Sequence, residues 1–336
     1  MKIALFEVSE DKQEIFRQLF GGLEVSFFEE KLNEENVHLI KDAEIISVFI
    51  NSELKKNVID ALPNLKLICT CSTGFDHIDI SYCNSKGINV ANVPAYGSYT
   101  VAEFTFALIL NLSRKIFDAS HQLKEGGDFS IFKLKGFDLR EKTIGVVGTG
   151  KIGRNVIKIA QSFGMHVIAC DLHPDLQFAQ ENNFEYKNLS ELLSQSDILT
   201  LHAPYNKENH HLINKDNISL MKKGIYLINT ARGELIDTDA LISALKEGVI
   251  AGAGLDVLEG ERELKEEIEI LSSPSRSERI KDYKTLLEDR ALIDMPNVIV
   301  TPHIAFYSKE AEKEIIKTTV ANINGFLNNN LINIVK

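Results

Sequence analysis

The chain has 336 residues, long enough for two domains of ordinary size, and its 44% apolar and 25% charged residues are the proportions of a globular protein. A net charge of -11 argues against nucleic acid or an anionic membrane as a partner, so an anionic substrate must be drawn in by local cations. The start, Met1-Lys-Ile-Ala-Leu-Phe-Glu-Val8, gains charge too early for a signal peptide and reads as a first strand. No apolar run is long enough to span a bilayer. The four cysteines, Cys69, Cys71, Cys83 and Cys170, lack zinc-ligand spacing and read as reduced, packed thiols of a cytoplasmic protein.

In chain order, short apolar runs at 3–8, 45–50, 65–71 and 88–91 predict strands. Helical patterns such as 11–20 and 52–61 fall between them, and this alternation predicts a parallel sheet with crossover helices. Val93-Pro94-Ala95 closes the unit, because Pro94 cannot continue a ladder. A long apolar helix is predicted over 100–121, buried between domains or subunits. A second alternating series follows, with strands at 143–147, 166–170, 197–201, 224–229, 250–257 and 298–301. Near six strands fit a doubly wound nucleotide-binding sheet. Residues 262–294 crowd charges of both signs and read as a solvated helical excursion with internal ion pairs. The tail, 308–327, is an amphipathic helix that returns to the first domain, making that domain discontinuous.

The junction Thr143-Ile-Gly-Val-Val-Gly-Thr-Gly-Lys-Ile-Gly153 carries the strongest motif. Gly148, Gly150 and Gly153 form G-x-G-x-x-G between a strand and a helix. The first permits the turn, the second lets a pyrophosphate approach, the third lets helix and strand pack, and the helix N–H groups receive the phosphates. Asp171 ends the next strand. An acid there accepts hydrogen bonds from an adenosine ribose and repels a 2′-phosphate, which favours NAD over NADP.

Three segments each place a charged residue just past a strand, where open sheets of this kind bind ligands. Arg232 follows Ile228-Asn-Thr-Ala and can grip a carboxylate with two parallel hydrogen bonds. Asp256 ends a strand of small residues and is followed by Glu259 and Glu261. His303 follows Pro302 and can act as acid or base if a carboxylate orients it. Arginine, glutamate and histidine are not a zinc set, so no metal is expected. The other histidines, the His210-His211 pair included, read as packed or solvated rings.

These pieces, with Ser72-Thr-Gly-Phe-Asp-His-Ile-Asp79, Asn92-Val-Pro-Ala-Tyr96, Thr100-Val-Ala-Glu103, Leu201-His-Ala-Pro204, Asn229-Thr-Ala-Arg-Gly233 and Thr301-Pro-His-Ile-Ala305, give the chain its resemblance to a family. It resembles the NAD-dependent D-isomer-specific 2-hydroxyacid dehydrogenases along nearly its whole length. The resemblance implies an α/β fold of two doubly wound parallel-sheet domains. A Rossmann-type coenzyme domain, 99–307, is inserted in a flavodoxin-like substrate domain, 1–98 and 308–336. It places the catalytic arginine, glutamate and histidine on Arg232, Glu261 and His303. The family usually has proline after that glutamate; here Arg262 stands there, so Glu259 and Glu263 are carried as alternatives. NAD contacts fall on Gly148, Gly150, Lys151, Ile152, Gly153, Asp171, Ala203, Pro204, Asn209, Thr230, Ala231 and Asp256. Substrate contacts fall on Thr73, Gly74, Tyr96, Arg232, His303 and Phe306. The aromatic residue after His303-Ile-Ala looks most like the D-lactate dehydrogenase branch, which implies NADH-dependent reduction of pyruvate. A glyoxylate or hydroxypyruvate reductase, a phosphoglycerate-type dehydrogenase and, remotely, an NAD-sensing corepressor-like binding protein stand as the other readings. The resemblance also implies a homodimer formed through the apolar helix, with no nucleic-acid or membrane partner.

Overall fold

The computed structural model describes residues 1–261, 263, 264, 267 and 283–335. It divides into two compact units, Met1–Tyr96 with Tyr307–Lys336, and Gly97–Phe306. In the first, β1 (Ile3–Leu5), β2 (Val25–Phe27), β3 (Ile45–Val48), β4 (Leu67–Thr70) and β5 (Asn89–Ala91) lie in the order β2-β1-β3-β4-β5. Every pairing is parallel, which is the flavodoxin-like arrangement. β1, β3 and β4 are buried at each residue, so they read as continuous runs rather than alternating ones. The edge strand β2 is short and only half-buried, and its pattern Val-Ser-Phe carries too little periodicity to be found in advance. The helix Lys309–Leu327 is capped by Ser308, whose hydroxyl accepts from Ala311 N at 3.1 Å. Its Ile316, Val320 and Ile323 join Ile3, Leu5, Ile45 and Leu67 in one core, so the end of the chain completes the first unit. All four cysteines are free thiols, and burial pushes Cys83 up to about 11.

The second unit carries β6 (Thr143–Val147), β7 (His166–Cys170), β8 (Glu185–Tyr186), β9 (Ile198–Leu201), β10 (Ile225–Asn229), β11 (Ile250–Leu255) and β12 (Val298–Val300). Their order, β12-β11-β10-β9-β6-β7-β8, is parallel throughout. It is the Rossmann order extended by one strand, and it reverses between β6 and β9. One more strand is present than the six expected, because the two-residue β8 leaves no pattern in the sequence. Two clusters fill the faces, one including Leu199, Leu227, Leu241 and Leu255, the other Ile144, Val156, Ile157 and Ile228.

Two expectations need correction. The apolar helix expected over 100–121 is two helices, Ser98–Arg114 and Ile116–Gly126. Lys115 takes a left-handed backbone (φ 52°) and donates its N–H to Asn111 O, which ends the first helix. The first buries eight residues, Val101, Ala102, Thr105, Phe106, Leu108, Ile109, Leu112 and Ser113, whereas the second buries none. The charged stretch 262–294 reads as a solvated helical excursion with internal ion pairs; its described end is helical and carries a Lys284–Glu288 pair at 3.1 Å, and the correction concerns its solvation. Residues 262, 265, 266 and 268–282 lie outside the described ones, but its described end, the helix Tyr283–Asp294, buries Leu286, Asp289 and Leu292. That spacing of three marks an inward face in spite of the charge around it.

Candidate active site

The glycine turn sits at the carboxyl end of β6, beside the point where the strand order reverses. The helix Lys151–Ser162 opens there with Gly150 as its N-cap and no side-chain cap, so its first turn is left to a ligand. A Cβ on Gly153 would stand 2.0 Å from Gly148 O, so only glycine lets the helix close on the turn. Gly148 has φ +90°, and a Cβ there would meet Ala203 N at 2.7 Å. Gly148 and Gly153 are therefore closed to any side chain, whereas the space beside Gly150 is open, which fits a phosphate-bearing ligand approaching the backbone there.

Asp171 follows β7 and reaches back to this turn. Its Oδ2 accepts from Thr149 N at 2.6 Å and from Thr149 Oγ1 at 2.9 Å, and its Oδ1 accepts from His173 N at 2.8 Å. Burial works against its charge, but these hydrogen bonds prevail and hold it below the ordinary carboxylate value. Past β9, Asn209 donates to Pro204 O at 2.7 Å and accepts from Asn206 N at 2.7 Å, fixing the loop that carries Ala203 and Pro204. His202 precedes them: its Nε2 lies 2.9 Å from Thr200 Oγ1, its Nδ1 is shut off from solvent without a partner, and burial lowers it to about 3.

Arg232, Glu261 and His303 come from the loops after β10, β11 and β12. Asn229 is fully buried and clamps the first loop, accepting from Ala231 N at 3.0 Å and donating to Arg232 O at 2.8 Å. Thr230 Oγ1 lies 3.1 Å from Thr105 Oγ1, which itself donates to Val101 O, so the same loop is tied to the apolar helix. One Arg232 Nη donates to Ala231 O at 2.7 Å, holding the guanidinium against its own loop. Gly233 then lies flat on the second loop, since a Cβ there would stand 2.0 Å from the Leu258 carbonyl carbon.

Asp256 gathers the third loop. It is 1% exposed and accepts from Thr301 Oγ1 (2.6 Å), Ile304 N (2.9 Å) and Ala305 N (2.8 Å). Burial raises its pKa in spite of those donors. His303 is pinned between them in a left-handed backbone (φ 55°), its N–H donating to Asp256 O at 2.9 Å. Its Nδ1 lies 3.0 Å from Glu261 Oε2. A carboxylate can only accept, so Nδ1 carries the proton in this contact. Of the two other candidates, Glu259 is engaged elsewhere, with His211 Nε2 at 2.7 Å and Thr238 Oγ1 at 2.9 Å. Phe306 stands edge-on to the His303 ring, centroids 6.4 Å apart.

Sequence reasoning missed Asp289. It accepts from Gly260 N at 2.9 Å, between Glu259 and Glu261, and its other oxygen is buried without a partner. Burial and then the neighbouring glutamates raise its pKa from 3.8 to about 7. The folded state therefore keeps a proton that the unfolded chain has lost, and stability falls as pH rises from about 4 to about 7. Asp289→Asn keeps an acceptor for Gly260 N without the charge. Urea unfolding at pH 8.5 is expected to find it more stable than the parent by about 1–3 kcal/mol, with the gap closing at pH 4.5. A gap independent of pH would count against this titration.

Thr73, Gly74 and Tyr96 belong to the first unit. There the loop after β4 is fixed by Ser72 Oγ donating to Gly74 O (2.6 Å), Thr73 Oγ1 to Val93 O (2.8 Å) and Asn92 Nδ2 to Thr73 O (2.8 Å).

A Rossmann sheet whose switch point carries a glycine cradle and a charged strand-end acid is that of an NAD-dependent oxidoreductase. Residues 106–305 match the family model of the D-isomer specific 2-hydroxyacid dehydrogenase, NAD binding domain. The chain is 38% identical over 331 residues to the aromatic 2-oxoacid reductase of Clostridium sporogenes, covering 97% of this chain and 96% of that one. It is 34% identical over 329 residues to the D-lactate dehydrogenase of Escherichia coli, covering 96% of each. The D-lactate dehydrogenase of Aquifex aeolicus, solved in complex with NAD and lactic acid, superposes with a TM-score of 0.85 at 38% identity over 98% of this chain and 96% of that one. The chain belongs to the NAD-dependent D-isomer-specific 2-hydroxyacid dehydrogenases.

Proposed function

We propose that the chain reduces a small 2-oxoacid to the D-2-hydroxy acid, with pyruvate and D-lactate as the preferred pair. The observation that carries this reading is the His303–Glu261 contact at 3.0 Å, on a loop packed under the one that bears Arg232. In this reading, Arg232 holds the substrate carboxylate through paired charge-assisted hydrogen bonds. Fixing the carboxylate fixes the neighbouring carbonyl, so geometry supplies much of the rate. The bound nicotinamide supplies the hydride. Protonated His303 gives a proton from Nε2 to the carbonyl oxygen, and Glu261 keeps the ring oriented and stabilises its charged form. In the reverse direction the neutral ring takes the hydroxyl proton.

The residues expected at the cofactor fit that group. The first turn at Lys151, Ile152 and Gly153 would hold the pyrophosphate, and Asp171 the adenosine ribose. Removing a hydrogen bond to a charged group costs about 1.5–3 kcal/mol. Asp171→Ala is therefore expected to lower kcat/KM for NADH roughly tenfold to a hundredfold while that for NADPH falls less or rises. Unchanged discrimination between the two cofactors would remove Asp171 from that role.

The Aquifex aeolicus and Escherichia coli relatives support the lactate reading. The Clostridium sporogenes relative, together with Phe306 beside His303, supports a second reading with an aromatic 2-oxoacid. NADH oxidation with pyruvate, 2-oxoisocaproate, phenylpyruvate, hydroxypyruvate and glyoxylate separates them. We expect the largest kcat/KM with pyruvate; a larger value with another acid moves the assignment to that acid, and binding of NADH without any turnover favours the corepressor-like reading. A cytoplasmic homodimer belongs to the same proposal. Its support is the stretch 116–132, where Phe117, Phe129, Ile131 and Phe132 are exposed. Sedimentation at micromolar concentration tests the dimer.

A further inference from the structure

Among the described residues, one cluster of side chains outside the Arg232, Glu261 and His303 set has a donor set of its own. The chain leaves β9, turns through Lys207–Asn209 and presents two adjacent imidazoles, His210 and His211. His211 has a left-handed backbone (φ 52°), and its Nε2 lies 2.7 Å from Glu259 Oε1. The His210 ring stacks on it, centroids 3.8 Å apart. One ligand atom from each of His210, His211 and Glu259 falls within 4.8 Å of the others. An ion pair with Glu259 would need only one of these rings.

The surroundings match those of a metal site. Thr238 Oγ1 donates to the second oxygen of Glu259 at 2.9 Å, the kind of outer contact that aims a ligating carboxylate. The Glu259 backbone is held by the close approach of Gly233, where a Cβ would lie 2.4 Å from Glu259 N. His210 is exposed while its two partners are half-buried, which leaves a path for an ion and room for water as a fourth ligand. Two imidazoles and a carboxylate suit zinc and its neighbours, whereas magnesium and calcium prefer oxygen alone. Ligand atoms around tetrahedral zinc lie roughly 3.3 Å apart, so the 2.7 Å His211–Glu259 pair opens slightly and His210 rotates inward to complete the set. We propose that His210, His211 and Glu259 bind one divalent transition-metal ion, Zn2+ best of all, linking the loops after β9 and β11. This departs from the sequence expectation of no metal, in which the His210-His211 pair reads as packed or solvated rings.

The test is calorimetric titration of the EDTA-treated chain with ZnCl2, without cofactor or substrate. Saturable uptake of one Zn2+ per chain is expected, with a rise in Tm of about 5 °C at a hundredfold excess over the dissociation constant. His210→Ala, at an exposed position, is expected to weaken uptake at least tenfold and Thr238→Val about tenfold. Mg2+ at the same concentration is expected to leave Tm unchanged. Absence of saturable uptake, uptake untouched by His210→Ala and Glu259→Gln, or equal protection by Mg2+ would overturn the proposal.

Discussion

Replacing His303 with alanine is expected to lower kcat for 2-oxoacid reduction by roughly 10² to 10⁴, with NADH affinity largely kept. The size follows from what the ring is asked to do. Nδ1 is fixed on Glu261 at 3.0 Å, so in this reading the proton for the carbonyl oxygen comes from Nε2. The backbone at His303 is left-handed, a conformation that asparagine tolerates better than alanine. His303→Asn is therefore the companion variant, since it keeps the loop tied to Asp256 while removing the acid. Both variants should bind NADH like the parent by fluorescence titration and both should lose turnover. Near-normal turnover in either removes His303 from the mechanism.

The parts of this molecule that were legible beforehand are those where a local pattern and a tertiary demand coincide. The glycine turn is one: Gly148 and Gly153 are needed both by the turn itself and by the close packing of helix on loop, where a Cβ on Gly153 would stand 2.0 Å from Gly148 O, so the same residues announce the motif and enforce it. The buried strands β3, β4, β9 and β10 are another, because burial on both faces writes a plain apolar run. What escaped has no such signature. The break at Lys115 uses neither glycine nor proline, and it shows only in that the helix after it buries nothing. β8 is two residues long. Asp289 hides in a charge-rich segment whose composition says solvent, while the three-residue spacing of Leu286, Asp289 and Leu292 says core. The resemblance places the catalytic glutamate on Glu261, but Arg262 after it keeps Glu259 and Glu263 as alternatives in the sequence. The choice turns on how the loop folds: Leu258 N reaches back to Glu261 Oε1 at 3.3 Å, while Glu259 is drawn away to His211 and Thr238.

Arg232→Ala is expected to lower kcat/KM for 2-oxoacids by roughly 10² to 10³, the consequence of leaving a bound carboxylate without its charged partner at about 2–5 kcal/mol. The loss should appear mainly in KM if the guanidinium holds ground state and transition state alike, and in kcat as well if it also sets the angle of the carbonyl. Arg232→Lys should recover only part of the loss, because an ammonium cannot make the paired, planar contact. The loop loses one Nη bond to Ala231 O but keeps its backbone clamp: Asn229 holds it through the Ala231 N–H and the Arg232 carbonyl, both groups that alanine retains. NADH affinity and unfolding midpoint should therefore stay near those of the parent. The sharpest readout is relative. The parent should strongly prefer pyruvate over a neutral ketone of the same shape, and Arg232→Ala should erase most of that preference while leaving whatever slow ketone turnover exists. If the preference survives the substitution, the carboxylate is being recognised by another cation, and the assignment of Arg232 fails even though the fold and the cofactor site stand.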